Sequence, residues 1–157
     1  MFDIGFDCVP NEFARVKSKD RDFGLHKDDL ADDGNPVQFN AFEPFGYLPD
    51  LNGKFVMYRK VVPITFSLTF LPFSYSDVAL KRFLIHCMDP NGSVEIDQMT
   101  VNCSETAVIT FTEGMIQGAQ PGVGASGDGR MTNQTYSFMF SSMKSQGYES
   151  RWSAMKE

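Results

Sequence analysis

Residues 63–87, PITFSLTFLPFSYSDVALKRFLIHC, change their hydrophobic period halfway along, so no single regular element accommodates both halves. Ile64, Phe66, Leu68 and Phe70 alternate with Thr65, Ser67 and Thr69, the period-two pattern of a half-buried strand. Pro72 lacks a backbone donor and biases Leu71 to extended geometry, so the ladder ends there. Ser74 or Ser76 is then placed to cap a helix. Within that helix Leu80, Phe83, Leu84 and Cys87 recur at i, i+3, i+4 and i+7 and form one apolar stripe, with Lys81, Arg82 and His86 off it. The sequence Asp89-Pro90-Asn91-Gly92 ends it. A helix of about three turns is marginal alone, so its stripe is expected to close one side of a β-sheet core.

The rest of the chain points to β structure. With 157 residues and 42% hydrophobic content, one well-buried domain is the natural size. Fifteen Phe against one Trp and five Tyr sit mainly in alternating or Pro/Gly-punctuated segments. TAVITFTEGMIQG and QTYSFMFSSMKS alternate well and SVEIDQMTVNC imperfectly, and KFVMYRKVV is read as a further strand, with Pro63 marking a bulge or edge position after it. The expectation is a mainly β fold with one short helix over about 76–88, an antiparallel sandwich or barrel of six or seven strands. Residues 36–157 would form the core, and residues 1–35, dense in charge of both signs, an exposed hairpin, extended arm or long loop.

Two stretches lack a regular period. In VQFNAFEPFGYLPDLNG, Phe39, Phe42, Phe45 and Tyr47 are interrupted by Pro44, Gly46 and Pro49, which excludes a helix and disfavours a long strand. So many aromatics require a cover, either this domain's own core or a neighbouring subunit. The second is QGAQPGVGASGDGRMTN, a glycine-rich loop too long for a simple connection, and such loops are functional or disordered.

The familiar chemical motifs fail on their contexts. Gly122-Val123-Gly124-Ala125-Ser126-Gly127 spells GxGxxG, but a strand rather than a helix is expected to follow, so no helix N-terminus meets a pyrophosphate. DDLADDGN has too few oxygen ligands in register for a calcium loop and reads as a solvated acidic turn. His86 and Cys87 are adjacent on a helix and point about 100° apart. No catalytic, cofactor or metal residues are assigned, and the expectation is that the chain is not an enzyme. A net charge of −6 argues against neutralising nucleic-acid phosphates. Three widely spaced cysteines argue for a reducing compartment. No apolar run reaches the length of a membrane span and no basic leader opens the chain, so synthesis in a cytoplasm is expected.

The strand Ile64–Phe70, the turn Ser74–Asp77 and the helix Val78–Met88, with the later strands AVITFTEGMIQG and TYSFMFSSMKS, resemble the central unit of phage tail-tube proteins and the related type VI secretion tube proteins. That resemblance implies a structural virion component: a tube, terminator, initiator or baseplate subunit that self-associates into rings, commonly hexameric, and meets other tail proteins. The channel would pass DNA without binding it specifically, and the subunit would reside in the virion tail. On this reading Phe39, Phe42, Phe45 and Tyr47, with Gly122, Val123 and Gly124, are candidate interface residues. The aromatic, Pro/Gly-broken segment departs from the family. An alternative is a small-ligand or glycan-binding β-sandwich using those aromatics as its platform.

Overall fold

The computed structural model describes residues 12–32, 34–103, 107–148, 152–153 and 155. The strands β1 (Glu12–Lys17), β2 (Asp22–His26), β3 (Val37–Phe39), β6 (Ile64–Phe70), β7 (Ile96–Asn102), β8 (Val108–Ala119) and β9 (Gln134–Gln146) form a seven-stranded antiparallel sheet. Its order is β2-β1-β7-β8-β9-β6-β3. A separate hairpin consists of β4 (Phe45–Pro49) and β5 (Phe55–Arg59), and the packed helix α1 spans Tyr75–Met88. The expected mainly β, antiparallel fold with a packed helix is therefore present, and its large sheet does not close into a barrel.

The sheet folds over its own core because β8 and β9 are long enough to serve two halves. The first part of β9 pairs with β6 and with the end of β8, whereas Ser142–Gln146 pair only with Val108–Thr112, whose other edge meets β7. Between the halves, Glu113 adopts φ 55°, a left-handed conformation uncommon for a residue with a side chain. The neighbouring Gly114 leaves no room for a Cβ, because the Met139 carbonyl and the Phe140 ring occupy that space. The consequence is visible in the rings. Phe13 on β1 and Phe70 on β6 are four strands apart, about 19 Å in a flat sheet, yet their ring centroids are 6.1 Å apart. Phe66 stacks on Phe111 at 4.7 Å and on Phe138 at 5.2 Å, and Phe111 meets Phe140 at 5.4 Å. Phe66, Phe111, Phe138 and Phe140 are all fully buried. The alternation read in β6 holds residue by residue: the even positions are buried and the Thr/Ser positions half-buried.

Of the segment expected as an exposed hairpin, arm or long loop, Glu12–His26 form a hairpin, but it is built into the large sheet rather than extended from it; residues 1–11 and 33 of the same segment lie outside the described residues. The charged stretch conceals Phe13, Ala14, Val16 and Leu25, which are buried in β1 and β2. Its charges satisfy one another: Arg15 donates to Glu12 at 3.1 Å and to Asp22 at 2.8 Å. β1 and β2 make the strand count larger than expected.

Helix α1 closes the open side of this core with Leu80 and Phe83 fully buried, while Leu84 and Cys87 on the same stripe are half-buried. Ser74 is its cap, accepting from the Asp77 amide at 3.3 Å. Ser76, the other candidate cap, is buried and ties the helix to the preceding segment. Its amide and hydroxyl donate to Asp29 at 2.9 and 2.7 Å, and its hydroxyl accepts from the His26 amide at 2.8 Å. The acidic run is thus not simply solvated, since Asp29 anchors the helix start.

On the other side Asp77, 2% exposed, accepts from the Tyr136 hydroxyl at 2.6 Å and from the Phe73 amide at 2.9 Å. Lys81 donates to the Tyr136 hydroxyl at 2.7 Å and to Gln134 at 2.8 Å, joining α1 to β9. Burial, then the hydrogen bond to Asp77, raises the Tyr136 hydroxyl well above its ordinary pKa and keeps it a neutral donor. Removing the carboxylate deprives the Phe73 amide and the Tyr136 hydroxyl of their side-chain acceptor and Lys81 of its ion-pair partner. Asp77→Ala is therefore expected to cost about 3 kcal/mol in urea denaturation with an unchanged m-value. Tyr136→Phe should cost about 1 kcal/mol.

Candidate assembly surface

The β4–β5 hairpin is built by strong local signals and supported by little else. Pro49 precedes a turn in which Asp50 accepts through its side chain from the Asn52 and Lys54 amides, at 2.9 and 2.8 Å. Gly53 supplies the left-handed residue at φ 82°. The Asp50 amide donates to the Lys54 carbonyl at 2.7 Å, which fixes the register Phe45↔Arg59, Tyr47↔Met57 and Pro49↔Phe55. Directly opposed residues share a face. One face therefore carries Phe45, Tyr47, Phe55, Met57 and Arg59, and the other Gly46, Leu48, Val56 and Tyr58.

Both faces are apolar and both are uncovered. Every residue of β5 and all but Gly46 of β4 are exposed, with Phe45 at 67%, Tyr47 at 63% and Met57 at 77%. Leu51 at the tip is fully exposed. Within the hairpin, Tyr47 meets Phe55 edge-on at 4.8 Å. A two-stranded ribbon is marginally stable in water, and an uncovered apolar surface of this kind marks an interaction site.

The structure separates the candidate interface residues. Phe39 packs inward, 5.4 Å from Phe66 and 6.2 Å from Phe111, so the domain's own core covers much of it. Phe42, 38% exposed, lies in the connection leading to β4, and Phe45 and Tyr47 lie on the hairpin itself. Gly122, Val123 and Gly124 lie elsewhere. The loop 120–133 folds into a small ribbon: Ala125 bridges Met131, the Thr132 amide donates to the Gly124 carbonyl at 3.0 Å, and Ser126 closes a turn onto Arg130. This loop borders Thr69, whereas the hairpin rejoins the sheet at Ile64. These are opposite ends of a strand about 20 Å long. The loop's Asp128 is held below the usual carboxylate range by the Ser126 hydroxyl and the Arg130 amide.

Sequence reasoning read the second half of the hairpin as one more sheet strand; Phe55–Tyr58 is an unbroken apolar run, which puts apolar side chains on both faces but gives no local sign that it pairs only with β4. The residues examined for chemistry have other surroundings. His86 Nε2 lies 3.1 Å from Asp20. Burial raises the thiols of Cys87 and Cys103 above their ordinary value, the opposite of an activated nucleophile. Among the described residues, no three His, Cys, Asp or Glu gather as a metal site.

A family model for tail fiber protein gp32 matches residues 18–144, from the turn after β1 almost to the end of β9. The chain belongs to the tail fiber protein gp32 family. It is accordingly a phage tail-type structural protein, as the resemblance implied at the coarser level. This gp32-family chain also matches the cryo-EM structure of the anti-feeding prophage cap, described as the tube-terminating cap, with a TM-score of 0.50. The match covers 89% of this chain and 91% of that one at 9% sequence identity, so it speaks to the fold. No curated protein matches the sequence.

Because the hairpin side chains stay largely exposed in the isolated gp32-family subunit and touch mainly one another, their loss should leave its stability almost unchanged. Tyr47→Ser combined with Phe55→Ser is expected to change unfolding free energy by less than about 1 kcal/mol. Phe66→Ala should cost about 4 kcal/mol. Thermal or chemical denaturation of the three proteins checks the contrast.

Proposed function

We propose that this protein is a ring-forming subunit of a phage tail tube or of its end, and that the β4–β5 hairpin is the arm by which one copy holds the next. The observation that carries this reading is the hairpin with two uncovered apolar faces, which has no role in its own domain's core. Obligate interfaces are rich in such surface, and aromatic and Met residues are favoured at their centres. The likeness of the fold to a tube-terminating cap and the membership of a tail family agree with a place in the virion tail. The ring's lumen would pass DNA, and the chain's net charge of −6 suits a channel that does not retain it. The role is structural rather than enzymatic.

Glycan binding by the same aromatics is less well supported, because a sugar platform requires rigidly held rings and this ribbon has no backing from the sheet. Mass photometry and negative-stain electron microscopy over a concentration series test assembly. Wild-type protein is expected to form rings or short tubes with a central channel, and the Tyr47→Ser/Phe55→Ser protein to remain monomeric at every concentration. Equal assembly by both would contradict the role given to the hairpin.

A further inference from the structure

Where the hairpin rejoins the sheet there is a second apolar opening, distinct from the hairpin's own faces. It is an open groove of about 460 Å³ running from the connection after β5 across β8 and β9. Val62, Val94, Met115 and Met139 are among its walls, and two acids, Glu95 and Glu113, stand on it. Val94 is 57% exposed, so the groove presents apolar surface to solvent rather than to the core. It lies beside the Glu113–Gly114 kink, where the two halves of the sheet diverge.

The chain thus carries two unmatched surfaces of complementary character. The groove is apolar with carboxylates. The broader hairpin face is apolar with a cation: Arg59 stands beside Phe45, Tyr47 and Met57 and has no ion-pair partner among the described residues. We infer that the groove of one copy receives the Phe45/Tyr47/Met57 face of another copy's hairpin, with Arg59 directed to Glu95 and Glu113. The inference rests on the assembly reading above and specifies its geometry. Donor and acceptor are different patches of one chain, so the contact is head-to-tail and either closes into a ring or continues as a filament. One pairing covers the groove and the Phe45/Tyr47/Met57 face of the hairpin and places a basic group against an acidic rim, the arrangement that fixes register and excludes wrong partners.

A charge swap tests this on the full-length chain, with association read by mass photometry and sedimentation velocity, and folding by thermal denaturation. Arg59 and Glu95 are both exposed, so the variants are expected to melt as wild type. Arg59→Glu alone and Glu95→Arg alone should each weaken self-association about tenfold, and the double variant should recover most of the loss. Assembly abolished by Tyr47→Ser/Phe55→Ser but unaffected by Glu95→Arg, or single-variant defects that simply accumulate in the double, would overturn the groove as acceptor while leaving the hairpin's role intact. Wild-type protein that never associates would overturn the assembly reading as well.

Discussion

The stacked rings of Phe66, Phe111, Phe138 and Phe140 hold together two halves of one sheet that strand pairing alone would leave far apart. A flat seven-stranded sheet cannot bury one face by itself; this one bends at Glu113 and Gly114 until β1 lies over β6 and covers that face itself. Fully burying each ring contributes about 2 kcal/mol or more, which offsets the cost of the left-handed Glu113 backbone, about 1–3 kcal/mol. Helix α1 then seals the remaining side. Its alignment is set by polar contacts at its first turn, from Asp29 to Ser76 and from Asp77 to Tyr136.

A wall built in this way is complete without the hairpin, and that makes the hairpin informative. Its turn is well made, with an Asp side chain and a left-handed Gly fixing the register, so the ribbon is specified rather than left loose. Its side chains nevertheless bury almost nothing. A specified element whose apolar surface is left in water gains its stabilisation when a neighbour covers it, and a tail subunit works among neighbours. The groove at the hairpin's root supplies an acceptor of matching chemistry on the same chain.

The sequence disclosed those elements whose burial is periodic. The alternation from Ile64 to Phe70 and the stripe on α1 predicted both elements and their buried faces, because a half-buried strand and an amphipathic helix write their environment into every second or every third to fourth residue. The segment 12–26 reads as an exposed hairpin or arm because Glu12, Arg15 and Asp22 look solvated until their mutual ion pairs are seen, and those pairs depend on strand pairing within the large sheet. The aromatic run 39–49 was recognised as needing a cover, but local pattern does not distinguish Phe39, which turns onto Phe66, from Phe45, which leaves the body on the hairpin. The groove was invisible, since Val94, Met115 and Met139 are far apart in sequence and meet only through the order of the sheet.

The central claim is that the hairpin is covered by another copy of the chain. The most direct measurement is amide hydrogen–deuterium exchange on dilute monomer and on assembled particles of the same protein. The account predicts that the amides of Phe45–Arg59 exchange quickly in the monomer and become strongly protected on assembly, together with those around Val94 and Glu95. Assembled particles in which Phe45–Arg59 still exchange as fast as in the monomer would contradict it.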